Sequence, residues 1–572
     1  MPAHAARMSD SQSAKPQERR GWQTAAALAV YVAVTLVLFR DLLASVRTHL
    51  FGDLGDPLLN TAILAWNAKV VPLTDPWWNF PSFAPLSGVT SWTEHLLGVY
   101  VLTSPIVWTT GNAVLAYNAL QLLSPPLNGV CAFLLVREIT GSGTGAFVGG
   151  LAFAFAPFHG EHVTHIQLET LFGMPLALYG LHVFVRTGAR KPLLWFAAGW
   201  LSALLSSAYL LVFFSILLGL WCVWFLRDRS WRMWAAVLGT ALVTALPVVP
   251  IVVGYLTRQR AYAFVRSFDE IKSFGASIVA LTGISHRAVL WRGVLPDRFH
   301  EASLFPGVCV AALVGLALVA RGRGSRDPKA AASSVAFYFV AAVVMWTLAL
   351  GPEPTWAGGS SHLYGPYWLL QQLPGGQSIR VPARAWIVAT LCLSVCAGAG
   401  AAYVTVRRRM RWPVVPIALA IVAEGWFVAQ TFEVPVPSRT LRVPEGAIVL
   451  DLPLYEGFEN AVPQYLAVMS GYRVVNGYSG YVAPHFGPLR DALAAQRPVA
   501  LEAFRGRGDL HVIVRPSADP ALVRWVEGQP GIEQVSADGA VRLFRLPRMG
   551  LGPRRMPLSP LPKPGQVVFS VR

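Results

Sequence analysis

The sequence "NAVLAYNALQLLSPPLNGVCAFLLVREITGSGTGAFVGGLAFAFAPF", residues 112–158, holds two apolar segments, at 113–136 and 145–157, with Arg137 directly after the first. A helix needs roughly 20 apolar residues to cross a bilayer. Comparable apolar segments recur along the chain, at 22–43, 168–185, 193–206, 208–226, 233–255, 304–320, 333–350, 385–406 and 413–431. The pattern predicts a polytopic α-helical membrane protein with about eleven transmembrane helices, several of them short.

Composition supports the same class. Of the 572 residues, 54% are hydrophobic and only 13% are charged. The net charge of +17 comes largely from arginines at the ends of apolar segments, where the positive-inside rule places them. We therefore expect a membrane-lipid environment and no nucleic-acid partner. All five cysteines lie within apolar runs and lack metal-type spacing, so we expect neither a disulfide framework nor a cysteine-based zinc site.

Basic clusters predict the topology. With the N-terminus in the cytoplasm, alternate connections carry Lys and Arg, at Arg137, at 186–191, 227–232, 321–329 and 407–411. Counting the apolar stretch 95–111 as a span would place every later basic cluster on the outer side of the membrane. We therefore interpret this stretch as a re-entrant or interfacial helix. The expected location is the bacterial inner (cytoplasmic) membrane.

The same topology predicts the domains. A disordered cytoplasmic tail covers 1–21, and a transmembrane domain covers 22–432, with outer loops at 44–112, 158–167, 256–303 and 351–384. "AIVLDLP", "LHVIVRP" and "AVRLFRL" are typical of strands, and "PLRDALAAQ" and "PALVRWVEGQ" of helices. These segments predict a small extracytoplasmic α/β domain at 433–548, followed by a Pro-rich tail at 549–572.

The first outer loop carries acidic groups at an apolar boundary, Asp53 and Asp56, followed by Asn60, Glu94 and His95. Partial desolvation raises the pKa of a carboxylate unless a cation or hydrogen bonds compensate, which suits a general base or a metal ligand. The alternative is structural, because Asp at the N-cap followed by Pro57 at the first helical position is the usual start of a helix.

The second outer loop, "FHGEHVTHIQLE", places Glu161 and His165 four residues apart. A helix there would bring both onto one face, as a metal or a phosphate-facing pair requires. The alternative is that they are polar residues at membrane-interface level at the start of a helix.

Arginines follow in the later outer loops. Arg258, Arg260 and Arg266 lie near the exit of one apolar segment, and Arg380 and Arg384 precede another. The planar guanidinium binds phosphate bidentately, so these residues are candidates for a phosphate or diphosphate head group. Anchoring to lipid head groups explains them equally well.

The stretch "YRVVNGYSGY" in the C-terminal domain offers Tyr478 to an acceptor groove. Its Asn476-Gly477 dipeptide is also a turn signal, and we favour a tight turn there.

Several of these motifs resemble the GT-C superfamily of integral-membrane glycosyltransferases. "GDPLLN" is similar to the first-loop Asp-Pro stretch of oligosaccharyltransferase catalytic subunits, and residues 112–158 are similar in layout to spans of the dolichyl-phosphate-mannose and aminoarabinose transferases. "SWTEHLLG", "HGEHVTHIQ", "IRVPAR" and "VVNGYSGY" resemble a large set of uncharacterised bacterial glycosyltransferase-like membrane proteins. A Trp-Trp-Asp acceptor motif is missing from the sequence, which disfavours asparagine-linked transfer.

The resemblance implies a sugar donor linked to polyprenyl phosphate and a glycan, lipid or protein acceptor. Asp56 takes the position of the catalytic aspartate, with Asp53 beside it, and Glu94, His95, Asn60 and Tyr478 are expected to bind the acceptor. Glu161 and His165, with Asp56, would supply ligands if the enzyme uses a divalent metal such as Mg²⁺ or Mn²⁺. The rival functions are a transporter or flippase of a lipid-linked glycan and a catalytically silent membrane scaffold. A transporter would carry charge within its spans, which are nearly free of charge here.

Overall fold

The computed structural model describes residues 3–297, 301–356, 359–373, 375–408 and 412–549, with side chains left out at 3–20 and 406–408. Its α-helices are α1 Ala3–Leu38, α2 Arg40–Leu43, α3 Asp56–Lys69, α4 Tyr100–Thr110, α5 Ala113–Thr140, α6 Gly143–Ala154, α7 Phe158–His162, α8 Ile166–Glu169, α9 Gly173–Thr187, α10 Leu193–Ser206, α11 Ala208–Leu226, α12 Trp231–Ala245, α13 Val249–Ala261, α14 Phe268–Ser273, α15 Val308–Ala320, α16 Pro328–Ala349, α17 Pro366–Gln371, α18 Trp386–Arg408, α19 Val414–Glu424, α20 Ala461–Ser470, α21 Phe486–Ala494, α22 Val499–Arg505 and α23 Pro520–Glu527. Its strands are β1 His49–Phe51, β2 Thr355–Trp356, β3 Gly359–Ser360, β4 Thr431–Glu433, β5 Ile448–Leu452, β6 Arg473–Val474, β7 Leu510–Val514, β8 Glu533–Asp538 and β9 Val541–Leu546.

The apolar helices make the chain a multi-pass membrane protein. Within the described residues, seven helical stretches are long and apolar enough to cross a membrane: Gly21–Leu38, Ala113–Thr140, Ile166–Thr187, Ala208–Leu226, Trp231–Ala261, Pro328–Ala349 and Pro382–Thr405. The remaining four predicted segments coincide with the shorter helices α6, α10, α15 and α19. The polytopic class is therefore confirmed, whereas the number of eleven spans stays a prediction.

Two boundaries differ from the expectation. Helical backbone begins at Ala3, where the polar composition of 1–21 had predicted disorder; polarity alone does not prevent a helix. The helical stretch expected to end at 255 continues to Ala261 and is interrupted by a 3₁₀ turn at Leu246–Val248. Pro247 in that turn lacks the backbone N–H that an uninterrupted helix requires. Most of the Pro-rich tail, 550–572, lies outside the described residues.

The chain divides into two compact units. Unit 1 contains the described residues of Met1–Asp53, Glu94–Pro250 and Arg266–Glu433, and unit 2 contains those of Leu54–Thr93, Ile251–Val265 and Val434–Arg572. The division predicted from the sequence put a single boundary near 433. The structure instead places most of the first outer loop in the same unit as the C-terminal segment.

Close helix packing dominates unit 1. Helix α6 packs between α5 and α18, and α18 also packs against α15 and α16. A Cβ on Gly145 would lie 2.5 Å from the carbonyl oxygen of Gly398, and one on Gly149 would lie 3.1 Å from that of Ser394. Small residues four positions apart thus let the backbones of α6 and α18 approach, as is common between membrane helices.

Unit 2 is built on a five-stranded sheet in the order β6-β5-β7-β9-β8. Strands β6, β5 and β7 are parallel, whereas β9 is antiparallel to β7 and β8. The apolar runs that predicted β5 and β7 supply the buried core residues Val449 and Ile513. Helix α3 packs against α20, and Lys69 Nζ donates to the carbonyl oxygen of Val468 at 2.7 Å, so the first-loop helix is part of this unit's packing.

Candidate functional site

In unit 1, charged and polar side chains from four segments meet around Arg384. We call the set Glu94, Glu161, His162, His165, Glu301 and Arg384 the Arg384 cluster. Arg384 lies in a 3₁₀ turn, Pro382–Ala385, immediately before α18. Its Nε and Nη2 donate to the two carboxylate oxygens of Glu301, and its guanidinium also lies 4.4 Å from the ring centroid of Tyr209.

The second outer loop supplies Glu161 and His165 to this cluster. Glu161 Oε1 accepts from the backbone N–H of Glu301 at 3.3 Å, and His165 Nε2 lies 3.8 Å from Glu301 Oε1. The expected pairing of Glu161 and His165 on one helix face is wrong, because α7 ends at His162 and His165 lies in the turn before α8. The two residues instead both lie against Glu301, Glu161 at its backbone amide and His165 near its carboxylate.

Burial sets the charge states in the cluster. Burial raises the pKa of Glu161, although hydrogen bonds from Ser285 and from the Glu301 amide oppose this effect. Burial would also raise the pKa of Glu301, but Arg384 outweighs it, and the pKa is lowered. Burial lowers the pKa of His162. At neutral pH, Glu301 is therefore an anion beside a guanidinium and His162 is neutral.

Two predicted acceptor-binding residues have structural partners in unit 1. Glu94 accepts from Ser207 Oγ at 3.0 Å and from the backbone N–H of Ala208 at 3.1 Å, so its carboxylate binds the N-terminus of α11. Burial raises its pKa, opposed by these hydrogen bonds and by Arg384. Burial lowers the pKa of His95 to about 4, and its Nδ1 accepts from the N–H of Leu97. His95 is thus neutral and stabilises a local turn.

Asp53 also belongs to unit 1. The preceding residue, Gly52, has a φ of +108°, and a Cβ there would meet Thr164 Cγ2 at 2.5 Å. A larger residue would therefore clash with the second outer loop next to His165. Gly52 thereby fixes the backbone that leads into Asp53 against the loop that carries the cluster histidines.

The Arg384 cluster does not fit a divalent metal. Among the residues that the structure describes, no three His, Cys, Asp or Glu side chains come together to hold an ion. The carboxylate most accessible to the histidines, that of Glu301, is bound by a guanidinium, and a cation there would be repelled. Glu161 and His165 stay a predicted ligand pair, and we derive no step through a metal.

Unit 2 contains Asp56 and Tyr478. The Tyr478 hydroxyl donates to Asp56 Oδ1 at 3.0 Å, joining two candidate residues 422 positions apart in the sequence. Asp56 is the first residue of α3, with Gly55 as the N-cap, so the expected capping position is one residue too late. A carboxylate in the first turn is stabilised by the helix dipole. Asn60, one turn later on α3, is buried.

The loop that carries Tyr478 begins at the carboxyl end of β6. It does not form the predicted turn at Asn476-Gly477. The Asn476 side chain accepts from the backbone N–H of Asp451 and donates to its carbonyl oxygen, at 2.9 and 2.8 Å, and so continues the sheet's hydrogen bonding. A Cβ on Gly477 would meet the ring of Phe83 at 2.6 Å. The glycine is thus required for close packing, and the backbone N–H of Tyr478 is held by Gln464 Oε1.

The five predicted phosphate-binding arginines do not form a single set in the structure. Arg258 and Arg260 belong to unit 2, where the Arg258 guanidinium lies 4.0 Å from the ring centroid of Trp78 and Arg260 is exposed. In unit 1, Arg266 pairs with Glu270 at 2.5 Å, and Arg380 lies over Phe274 at 4.8 Å. Of the five, Arg384 is the one that binds a carboxylate through both arms of its guanidinium.

Sequence reasoning missed Glu301, the residue that joins the Arg384 cluster. The arginines of the long loop indicated phosphate binding, whereas its acidic residues were not predicted as ligands. A signal was present: Glu301 precedes the apolar segment 304–320, just as Arg384 precedes 385–406. Opposite charges at the entrances of two apolar segments indicate an ion pair at a common level.

The apolar helices define a multi-pass membrane protein, and its likeness to solved structures gives it a GT-C-like fold. Residues 117–425, more than half of the chain, match the family described as domain of unknown function DUF6311, and the chain belongs to this family. A search of curated protein sequences finds no match.

Among solved structures, the chain is similar to the arabinofuranosyltransferase AftD from Mycobacteria, with 14% sequence identity and a TM-score of 0.52. That alignment covers 92% of this chain and 40% of AftD, so the chain spans less than half the length of that enzyme. It is also similar to ArnT from Cupriavidus metallidurans, with 13% identity and a TM-score of 0.49, over 92% of this chain and 98% of that one. At such low identity, the likeness to AftD defines the fold alone.

Proposed function

We propose that the protein is a glycosyltransferase that moves a sugar from a polyprenyl-phosphate-linked donor to an acceptor on the extracytoplasmic face of the bacterial inner membrane. The observation that carries the proposal is the hydrogen bond from Tyr478 to Asp56. A hydroxyl that donates to one carboxylate oxygen fixes the carboxylate's orientation, which is a requirement for a general base. The GT-C-like fold supports the same class of reaction.

In the proposed reaction, the acceptor hydroxyl gives its proton to Asp56 while its oxygen forms a bond to the anomeric carbon. The bond between that carbon and the donor phosphate breaks, and polyprenyl phosphate leaves with the electron pair. Inversion at the anomeric carbon follows from this single displacement. An aspartate is basic enough for this role, because an oxocarbenium-like transition state acidifies the attacking hydroxyl, as in inverting glycosidases.

The proposal assigns the leaving phosphate to arginine. In unit 1 the candidate is Arg384, because its guanidinium already binds an oxyanion through two nitrogens in a setting shielded from water. Arg258, Arg260, Arg266 and Arg380 stay candidates from the sequence. A fixed donor aimed at developing negative charge contributes most where water is excluded.

The proposal is tested with purified protein in detergent, by measuring release of polyprenyl phosphate from a panel of polyprenyl-phosphate-linked sugars. We expect Asp56→Asn to lower the turnover at least about 100-fold, because proton transfer contributes 10²–10⁴-fold. We expect Tyr478→Phe to cost less, because the carboxylate itself remains. The matched control is Asp75→Asn, an exposed first-loop aspartate in the same unit.

Full activity of Asp56→Asn would refute the assignment of the base. Movement of the intact lipid-linked glycan across a vesicle membrane, without release of polyprenyl phosphate, would favour a transporter instead. Chelation and back-addition of Mg²⁺ or Mn²⁺ in the same assay test for dependence on a divalent metal.

A further inference from the structure

The ion pair between Glu301 and Arg384 is shielded from water, and one of its partners has a strained backbone. Both side chains are buried, with 12% of the Glu301 side chain and 7% of the Arg384 side chain exposed. Glu301 also has a φ of +65°, in the left-handed region that non-glycine residues rarely adopt. Strain of this kind persists where the surroundings impose it, and it concentrates at functional sites.

The surroundings of Glu301 favour an anion from several sides. Arg384 binds both carboxylate oxygens, and His165 Nε2 lies 3.8 Å from one of them. On the backbone side, the Glu301 amide donates to Glu161, whose second oxygen is buried and has no hydrogen-bond partner among the described residues. The site therefore holds one carboxylate firmly and places a second carboxylate next to it.

A guanidinium binds a carboxylate and a phosphate in the same way, through two parallel N–H···O bonds. An anionic side chain that occupies Nε and Nη2 of Arg384 therefore competes with a phosphate for these two nitrogens. We propose that Glu301 is an internal competitor for the phosphate of the donor. In the substrate-free protein it occupies Arg384, and the incoming phosphate displaces it. The inference rests on the proposed function, which assigns a phosphate to Arg384.

Displacement leaves Glu301 with a partner and relieves its backbone. His165 is already within 3.8 Å and remains beside the released carboxylate. Release of the side chain from Arg384 also frees residue 301 to leave the left-handed conformation. A phosphate brings more negative charge and more acceptor oxygens than a carboxylate, so it competes effectively for the same guanidinium. Glu301 thus makes the site selective for phosphate over oxyanions that carry less negative charge.

The test measures the dissociation constant of farnesyl phosphate and, separately, of inorganic phosphate for the purified full-length protein in detergent. Glu301→Gln keeps the shape of the side chain but removes its charge, so we expect farnesyl phosphate to bind about tenfold more tightly. Glu301→Asp, which keeps the charge but is too short to hold both nitrogens, should gain less. The matched control is Asp451→Asn, which removes the carboxylate of the bidentate Asp451–Arg515 pair in unit 2. That control should leave both affinities unchanged.

The outcomes separate this inference from the proposed function. Tighter binding of farnesyl phosphate to Glu301→Gln, with an intermediate Glu301→Asp, supports the competitor. Unchanged or weaker binding by a folded Glu301→Gln, while Arg384→Lys loses binding, overturns the competitor but leaves the phosphate role of Arg384. Unchanged binding by Arg384→Lys refutes that role itself. A gain for inorganic phosphate alone overturns a lipid-linked ligand. If Glu301→Gln does not fold, the affinity of Glu301→Asp decides between the first two outcomes.

Discussion

Two arginine–carboxylate pairs in this protein have the same pattern of hydrogen bonds, but the pKa values of their carboxyl groups are shifted in opposite directions. In unit 1, Arg384 binds both oxygens of Glu301; in unit 2, Arg515 binds both oxygens of Asp451 at 2.7 Å each. The pKa of Glu301 is lowered because Arg384 outweighs burial, whereas burial outweighs Arg515 and raises the pKa of Asp451. The geometry of the pair alone therefore does not decide which charge state the protein favours.

The neighbours explain the difference. Around Glu301, His165 adds to the effect of Arg384. Asp451 is almost completely buried, with 1% of its side chain exposed. It lies near the end of the parallel strand β5, and the Asn476 side chain binds its backbone N–H and carbonyl oxygen. A buried ion pair of the second kind is weak evidence for stability or function. The surroundings of the unit 1 pair therefore favour the charged carboxylate, whereas those of the unit 2 pair disfavour it.

The largest expected difference between the pairs is in catalysis. Arg384→Lys keeps the positive charge but loses the planar fork, so we expect turnover to fall about 100-fold, as for the loss of one oxyanion donor. Arg515→Lys makes the same change in unit 2, and the folded variant should keep its turnover. Release of polyprenyl phosphate is the measurement. Equal losses in the two variants at equal melting temperature would show that the pairs do not differ in function.

A smaller difference is expected in the pH dependence of the protein's stability, through the carboxyl group of Glu301. Its pKa is lowered from the ordinary 4.5, so its contribution to stability is present above pH 4.5 and is lost as the pH falls through the folded value. Glu301→Gln should therefore melt below the wild type at neutral pH, and the gap should narrow below pH 4.5.

Asp451 should behave in the opposite way. Its pKa is raised from 3.8, so the wild type gains stability as the pH falls through the folded value, and Asp451→Asn does not. The melting temperature of the wild type relative to Asp451→Asn should rise on acidification. Melting curves in detergent across this pH range test both variants together. If the melting temperatures of both variants, relative to the wild type, changed in the same direction with pH, the opposite pKa shifts would be contradicted.

The sequence predicted those parts of the fold that depend on local pattern. Apolar run length located the membrane helices, and short β-branched runs located β5 and β7. Local signals failed where a tertiary contact competes with them. Asn476-Gly477 indicated a turn, but the Asn476 amide is used to continue the sheet and Gly477 admits the ring of Phe83.

The candidate residues of each unit were only partly predictable for the same reason. Asp56 and Tyr478 were each selected from their own surroundings, yet their hydrogen bond spans 422 positions and has no local signature. Glu301 and Arg384 are 83 positions apart and follow unrelated motifs. Residue type and position at an apolar boundary indicate which groups are available for chemistry, but the partner of each depends on how distant segments pack.

The smallest expected effect concerns Glu161. This residue belongs to the same unit 1 cluster as Glu301, but its pKa is shifted in the opposite direction. Burial raises its pKa from 4.5, so the folded protein loses stability as the pH rises from 4.5 through the folded value. Glu161→Gln removes this penalty and should melt slightly above the wild type at neutral pH, with the difference vanishing towards pH 4.5. Glu161→Asp keeps a titrating carboxylate and should retain the pH dependence. A Glu161→Gln variant that melts below the wild type at neutral pH would mean that its hydrogen bonds with Ser285 and the Glu301 amide outweigh burial, and that both carboxylates of the site are held as anions.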